Sequence, residues 1–570
     1  MLSPAVVRVR RTGPRLIAGL AALVGLLNLA AVFVPRTQRR IEFIGDVIPG
    51  VVRSASAGVS VAAALLLFAI ASGLSRRKRR AWRLAVGVVA LMIVLQIAQG
   101  EHLVLISSTA LLIMLVVMRG EFVGRGDPRT RWHAVRVFVA LLVVSLAVGL
   151  LGSLLVTNRE HVPTESIWSR LGYVAVGLVG ATTPLTAPDR RTSDILYWAL
   201  LAMGVVTALI TAYLALRSPQ PSPRLTPVDE QAVRRLLASQ GQDDSLGYFA
   251  IRDDKSVIWS PSGKACISYR VIGGTMLASG DPIGDPDAWP PAIEQFLARA
   301  REYAWVPAAV ACSELGAEIW VRCSGLSALE FGDEAVVEAA SFDLEGREMR
   351  NVRQMIARIT RAGYTCQIRT LSEFTETELS NLRDLVARWR LGDTERGFSM
   401  AISRVDATRD PDCVVVTAHQ SDQVRGVLVM VPWGKTGLSL DLMRRSATAD
   451  PGVNELMITT LLKQAPSRGI TTVSLNFAVF REALERGERI GAGPIARLWG
   501  RLLLFASRWA QIESLYRFNA KFRPEWRPRF IVYPGAVGLP RVVMAYLQAE
   551  AFVSRPRLRS RLRSRLRRPV

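Results

Sequence analysis

Only five cysteines occur in 570 residues, and no two stand as a CxxC pair. With four scattered histidines, this excludes a zinc ribbon or a disulfide framework, and buried, reduced thiols are the default for Cys266, Cys312, Cys323, Cys366 and Cys413. Acidic residues are scarce in two regions. Residues 1–217 carry 24 Lys and Arg against 9 Asp and Glu, and residues 551–570 carry 8 Arg and no acid. The remaining 218–550 sums to +1 of the total +24. That near-neutrality removes bulk charge as an argument for nucleic-acid binding, though a local patch can still serve. The excess elsewhere points to an anionic lipid surface.

Half of the residues are hydrophobic, and the mean hydropathy is +0.24. Apolar runs at 16–34, 55–74, 81–97, 102–118, 135–156 and 195–216 mostly approach the roughly 20 residues a helix needs to cross a bilayer. Six transmembrane helices are expected. A seventh stretch, 167–185, is broken by Gly and Pro and reads as a surface or re-entrant segment. The first run also has the basic start of a signal peptide (Arg8, Arg10, Arg11), but further spans follow it and no small-residue cleavage site does. RRKRR at 76–80, the cluster Arg119, Arg125, Arg129 and Arg131, and the basic N-terminus all fall on one side if the N-terminus is cytoplasmic, outnumbering Arg36, Arg39 and Arg40. Six crossings then leave everything after Arg217 in the cytoplasm.

A Pro/Ser linker at 218–228 leads into alternating elements. Strands are expected at 248–251, 256–260, 265–272, 275–279 and 307–312, with helices at 286–303 and 314–323. A basic helix at 344–362, a strand at 364–369 and a helix at 375–390 follow. The second half starts with a hairpin of 414–419 and 424–432. A strand at 437–443, a helix at 453–468, a strand at 472–478 and a helix at 494–518 complete it. This gives two mixed α/β units, 229–390 and 391–550, and an Arg-rich tail, 551–570, that stays disordered until it meets lipid or RNA, or is simply solvated.

The stretch LSLDLMRRS (438–446) sets Asp441, Arg444 and Arg445 at the end of an apolar strand, where charges cost several kcal/mol unless satisfied. The strand–loop–helix–strand unit around it suits acyl transfer. Its loop, RRSATADPG, lacks the basic–Gly–Gly run that cradles a pyrophosphate, and RIGAG (489–493) sits after the later strand with its spacing off by one. Another acyl carrier is therefore expected, with a coenzyme A-dependent membrane acyltransferase as the alternative.

Six ordered motifs then align with one family. GDPIGDPDAW (280–289), RNVRQMIARITRAGY (350–364), ERGFSMAI (395–402), SLDLMRRS (439–446), VSLNFAVF (473–480) and KFRPEWRPRF (521–530) together resemble the phosphatidylglycerol lysyltransferases, or multiple peptide resistance factors. The likeness is nearest to the lysyltransferase module that some actinobacteria fuse to a lysyl-tRNA synthetase. The resemblance implies an α-helical membrane domain followed by two cytoplasmic acetyltransferase-like (GNAT) folds in tandem. It also implies lysyl-tRNA as donor, phosphatidylglycerol as acceptor, a bacterial plasma-membrane location and resistance to cationic peptides. An ester on tRNA is already activated, so no cofactor, metal or covalent nucleophile is expected; the site orients the ester and stabilises its oxyanion.

Asp441, Arg444 and Lys521 are the catalytic candidates and Glu395, Arg445, Glu455, Asn476 and Arg529 the substrate-binding ones, the family's motifs falling on Arg444, Lys521 and Arg529. Carboxylates suit the substrate's ammonium groups, and Arg or Lys forks suit its phosphates. Each has a plainer alternative: a structural Asp441–Arg444 pair, Lys521 lying over Trp526, Glu455 in the first turn of its helix. Arg350, Arg353, Arg358 and Arg361 share a helix and suit either tRNA phosphates or a solvated face. The 494–518 helix is amphipathic, fitting a bilayer interface or core packing. DPG and FNAKF depart from the family's PNG and FKxKF, leaving room for alanine, ornithine or another amino acid. The Arg tail stands where a synthetase module is expected, so a separate lysyl-tRNA synthetase is expected to supply the donor. Six spans are fewer than in flippase-bearing relatives, and a homo-oligomer stays open.

Overall fold

The computed structural model describes residues 4–33, 50–99, 102–122, 124, 128–159, 166–180, 190–216, 220–221, 223–390, 397–402, 404–479 and 512–551. Contacts divide the chain into two compact units, Met1–Pro219 with Arg301–Trp305, and Gln220–Ala300 with Val306–Val570.

The first unit is helical. Each expected span falls in a helix: Pro4–Phe33, Gly50–Leu74, Arg79–Gln99, His102–Val117, Pro128–Arg159 and Arg190–Leu216. Three stretches among the described residues are long and apolar enough to cross a bilayer: Arg79–Ile97, Trp132–Leu154 and Ile195–Leu216. Shorter apolar helices cover Leu16–Ala30, Val59–Leu74 and Val104–Val117. The stretch read as a surface segment forms a further helix, Ile167–Leu178, capped by Ser166. At about 18 Å it is too short to span. Small residues let these helices approach: a Cβ at Gly204 would lie 1.8 Å from the Leu178 carbonyl oxygen. Gln96 joins three helices by donating to Asn28 Oδ1 (2.6 Å) and Ser108 Oγ (3.0 Å). Large apolar side chains such as Ile106, Val117 and Tyr213 point outward, as lipid-facing residues do.

The second unit is built on one twelve-stranded sheet. Its strands are β1 (Ser256–Trp259), β2 (Ala265–Ile272), β3 (Thr275–Ser279), β4 (Ile283–Gly284), β5 (Val306–Cys312) and β6 (Ser327–Glu338). They continue with β7 (Tyr364–Thr370), β8 (Val414–Gln420), β9 (Gln423–Trp433), β10 (Gly437–Arg445), β11 (Thr472–Val479) and β12 (Glu525–Tyr533). The order is β1-β2-β3-β5-β12-β6-β11-β10-β9-β8-β7, with β4 on β2. Two parallel pairs, β3–β5 and β10–β11, mark the two acetyltransferase-like halves.

Between them the final strands are exchanged. β6, from the first half, pairs with β11 of the second, while β12, from the second half, pairs with β5 of the first. β7, which the sequence reading placed in the first unit, pairs with β8 of the second. Alternate residues feed two cores on opposite faces: Val427, Val429 and Val431 of β9 join one, Leu428 and Met430 the other.

Two local expectations are corrected, and four elements appear that were not expected. Residues 248–251 form a 3-10 turn within Gly247–Ile251, since a short, wholly apolar run carries no periodicity to separate turn from strand. The basic helix begins only at Arg350, because Gly346 (φ 81°) turns the chain and Arg353 caps the Gly346 carbonyl at 2.9 Å. The strands β6 and β12 and the helices Pro227–Gln240 and Leu539–Ala549 were not anticipated. Of the 494–518 helix, only residues from Ile512 lie within the described structure, in the helix Ile512–Ala520.

The strand exchange is held by a buried ion pair. Arg529 on β12 is 4 % exposed and Glu334 on β6 is 1 % exposed. Arg529 Nε donates to Glu334 Oε2 (2.9 Å), Nη1 to Asp244 Oδ1 (2.8 Å) and Nη2 to Ser245 Oγ (2.8 Å). Ser245 and Ser474 donate to the other oxygen of Glu334. Burial pushes the Glu334 carboxyl up, but the Arg529 charge and the two hydroxyls outweigh it and hold the group below its usual range. Removing the cation leaves buried carboxylates unpaired. Arg529→Ala is expected to lower unfolding stability by about 3–5 kcal/mol, against less than about 1 kcal/mol for removal of the exposed Arg383–Glu376 pair. Denaturant midpoints of the purified full chain test this, and an unchanged midpoint for Arg529→Ala would refute it.

Candidate active site

β10 and β11 share parallel hydrogen-bond register only over Gly437–Ser439 and Thr472–Ser474. Beyond that both strands are irregular, β10 between Leu440 and Leu442 and β11 between Ser474 and Phe477. Asp441 and Asn476 fall in these irregularities, where a bulge re-aims side chains. Asn476 takes φ 69°, a left-handed conformation that asparagine tolerates better than most residues. Its Nδ2 donates to Leu440 O (2.6 Å) and Met400 O (3.2 Å), while its buried Oδ1 accepts nothing among the described residues. Asp441 Oδ1 accepts the Ile402 N–H at 2.6 Å.

Both residues therefore grip the GFSMAI segment, 397–402. Three more polar side chains hold it. Glu550 accepts the N–H groups of Phe398 (2.6 Å) and Ser399 (3.0 Å), and Arg252 donates to the carbonyls of Gly397 (2.6 Å) and Ala401 (3.1 Å). The Lys255 ammonium lies 4.8 Å from the Phe398 ring centroid and donates to Phe249 O and Ser279 Oγ, each at 2.9 Å. None of these three was anticipated: each lies outside the matched motifs, on elements far apart in sequence.

The other described candidates separate into three further places. Lys521 Nζ donates to Glu455 Oε1 at 2.7 Å, joining the residue after the helix Ile512–Ala520 to the first turn of the helix Val453–Gln464. Glu455 is buried and Lys521 about one-third exposed, with its Nζ 5.2 Å from the Phe518 ring centroid; Trp526 instead stacks on Tyr516 at 4.6 Å. Arg444 donates to Val386 O, and Arg445 to Ala449 O at 2.8 Å within its own loop. Arg529 lines a cavity of about 570 Å3 with Asp243, Ser313, Glu314, Glu318, Glu334, Trp433, Glu525, Trp526 and Arg527. Glu395 and RIGAG lie outside the described residues.

The Asn476 corner and the Arg529 cavity are linked through β11. The Asn476 N–H donates to Ser474 Oγ at 3.2 Å, and Ser474 donates to Glu334, the partner of Arg529. On the far side of the cavity Asp281 accepts from the Ser313 N–H at 2.9 Å, and burial, with Asp244 nearby, pushes its carboxyl up. Glu334, Ser474, Asp244 and Asp281 complete the polar system. Asp281 and Ser474 lie within motifs quoted above, and their burial was the signal missed. Among the described residues no three of His, Cys, Asp and Glu converge as a metal site.

A family model described as "Phosphatidylglycerol lysyltransferase, C-terminal" matches residues 234–533, and one described as "Transmembrane region of lysyl-tRNA synthetase" matches 9–216. The chain belongs to the phosphatidylglycerol lysyltransferase family. It is 42% identical over 510 residues to the lysylphosphatidylglycerol biosynthesis bifunctional protein LysX of Rhodococcus jostii, covering 87% of this chain and 45% of that protein. The same-named protein of Mycobacterium tuberculosis (strain H37Rv) is also 42% identical over 510 residues, covering 86% and 43%. The chain thus spans less than half the length of these curated relatives. Among solved structures, L-PGS from Bacillus licheniformis superposes with a TM-score of 0.50 at 19% identity, over 58% of this chain and 98% of that one, a likeness of fold.

Lys255 offers a test of the clamp. Burial, reinforced by Arg252, pushes its ammonium down to about 7 from an ordinary value near 10.5. Between these values the folded chain binds fewer protons than the unfolded one, so stability rises with pH from about 7 upward. Below about 7 both states are charged and the burial penalty is fully present. Lys255→Met is expected to stabilise the protein at pH 6, with the gain shrinking as pH climbs toward 10. Thermal unfolding across that range checks it, and a gain that did not vary with pH would contradict the assignment.

Proposed function

We propose that the chain is an integral membrane aminoacyltransferase that moves lysine from lysyl-tRNA to phosphatidylglycerol. The product, lysyl-phosphatidylglycerol, lowers the negative charge of a bacterial plasma membrane and so confers resistance to cationic antimicrobial peptides. In this reading the helical unit is a multi-pass anchor, with the N-terminus and the sheet unit in the cytoplasm. The observation that carries it is the family match over 234–533, whose residues include the splayed β10–β11 pair.

The reaction exchanges one ester for another. A lipid glycerol hydroxyl attacks the aminoacyl carbonyl, the bond to the ribose oxygen breaks, and the hydroxyl proton passes to that leaving oxygen. The barrier lies in orienting the ester and stabilising the oxyanion. Asp441, which accepts the Ile402 N–H, supplies the negative charge that faces the α-ammonium. Asn476 Oδ1 is a second acceptor beside it. Lys521, fixed by Glu455, and Arg444 supply positive charge at the developing oxyanion or lipid phosphate, with Arg445 and Glu395 as supporting contacts. Arg529 positions the wall with Glu334 rather than touching substrate. The cavity beside it is lined by five carboxylates against two guanidiniums, a balance that suits a dicationic amino acid better than alanine.

The test is expression in a host lacking aminoacylated lipids, with mass spectrometry of the polar lipids. A lysine-sized increment on phosphatidylglycerol is expected, abolished by RNase in a membrane assay. Asp441→Asn keeps an acceptor for Ile402 and removes the charge, so product formation should drop about 100-fold. An alanine-sized increment would change the amino acid, and activity surviving RNase would overturn the tRNA donor.

A further inference from the structure

The helix Arg350–Arg361 carries four arginines and no acid in twelve residues. Val352 and Ile359 are buried and Met355 and Ile356 half-buried, so this face is spent on packing. It presses on the turn before the helix Val453–Gln464, where a Cβ on Gly452 (φ 112°) would meet Met355 Cγ at 2.6 Å and Ile359 Cγ1 at 2.9 Å. Arg353 and Arg358 are spent too: Arg353 caps its own N-terminal turn, and Arg358 donates to Pro451 O at 2.6 Å. Arg350 and Arg361 remain. Eleven residues apart, or about three turns and about 16 Å, they project from the side opposite the buried face.

Several partly exposed arginines of the same unit are paired with carboxylates, whereas these two, like the exposed Arg235, Arg347 and Arg388, carry no ion pair among the described residues. Arg369 pairs with Glu378, Arg383 with Glu376, Arg409 with Asp253, Arg523 with Glu348 and Arg527 with Glu525. Arg361 Nε donates only to Ala357 O of its own helix (3.2 Å), and the Arg350 side chain has no hydrogen bond or ion pair among the described residues. In a region summing to +1, two unpaired guanidiniums on an acid-free helix are a local positive surface. That surface runs toward the candidate site. Arg523 donates to Glu345 O (3.4 Å) in the turn before the helix, two residues from Lys521, and the half-buried Tyr516–Trp526 stack lies beside them. Guanidiniums followed by stacked aromatic rings suit a phosphate backbone ending in unpaired bases.

We infer that the exposed face of the helix Arg350–Arg361 is the docking surface for the RNA of the aminoacyl donor, with Arg350 and Arg361 on its phosphates and Tyr516–Trp526 toward its single-stranded end. The inference rests on the reading of aminoacyl-tRNA as donor. Arg358 holds the Pro451 turn and is a positioning residue, not part of the contact.

The experiment uses the full chain in phosphatidylglycerol nanodiscs, with two readouts kept separate: anisotropy of labelled, uncharged tRNA-Lys, and turnover of lysyl-tRNA. Arg350→Ala with Arg361→Ala should weaken tRNA binding and raise KM about tenfold while leaving kcat unchanged. The slope of log affinity against log salt should become less steep by about 1.5, and Arg350→Lys with Arg361→Lys should restore most of the binding. Circular dichroism matching the parent excludes misfolding. Unchanged tRNA affinity and salt slope would overturn the inference in favour of a solvated face. Loss of binding to anionic vesicles with tRNA affinity intact would overturn it in favour of a membrane contact. A parent chain that binds tRNA through these arginines yet transfers nothing would sink the proposed reaction while leaving the docking surface standing.

Discussion

The sheet unit is arranged around a charge pair that is almost wholly buried. Glu334 and Arg529 sit on β6 and β12, the two strands exchanged between the acetyltransferase-like halves. Such a pair gains little net stability over apolar residues of similar volume, because both charges must be desolvated. What it enforces is register. Neither strand can slip by one residue without turning a charge to the wrong face and leaving the other unpaired. The exchange also means that the halves cannot part without breaking β5–β12 and β6–β11 together. A cavity at that seam is therefore walled by strands that cannot drift independently.

The Asp441 corner depends on the same seam at one remove. In both halves the parallel strand that follows the central helix breaks stride with a positive-φ residue, Ala311 (61°) on β5 and Asn476 (69°) on β11. In the first half that place is sealed: Arg529 bonds the Ala311 carbonyl, and Asp281 and Ser313 close on each other. In the second half the opening is occupied by a backbone segment, 397–402, gripped by side chains from both halves. Arg252 and Lys255 come from the first half, and Asp441, Asn476 and Glu550 from the second. The two halves have diverged in the use of one geometry, one as a structural lock and the other as a place where a polar backbone meets the unpaired amide oxygen of Asn476.

What the sequence disclosed follows from where charge is expected. Apolar periodicity located the helices of the first unit and most strands, and LSLDLMRRS announced itself because Asp441 interrupts an apolar strand. β6 (SALEFGDEAVVE) and β12 (EWRPRFIVY) did not, because their charges lie mid-strand and Pro528 argues against a strand altogether. Those charges are tolerated only because each strand brings the other's counter-ion, a fact about pairing that no local window contains. The same holds for the site. Family motifs pointed to Arg444, Lys521 and Arg529, but nothing local shows that Lys521 finds Glu455 and not Trp526, or that Arg529 is consumed by Glu334. Glu550 and Lys255 were invisible for the same reason: an isolated charged residue reads as surface until its partners are known.

The charge distribution then becomes intelligible. Both proposed substrates are anionic, a nucleic acid and a lipid headgroup, yet the region 218–550 is almost neutral. A broadly cationic surface would bind either polyanion anywhere and hold the charged lipid product no less firmly than its precursor. Neutrality forces attraction to be local. Several arginines are cancelled by named carboxylates, as in the cluster of Glu230, Arg234, Arg404, Arg409 and Asp410 that ties the helix Pro227–Gln240 to the loop before β8. Against that background the acid-rich cavity, lined by five carboxylates and two guanidiniums, favours an ammonium group over a phosphate. Sorting the two ends of an aminoacyl ester, cationic at one side and polyanionic at the other, requires that separation of charge inside a unit whose sum is close to zero.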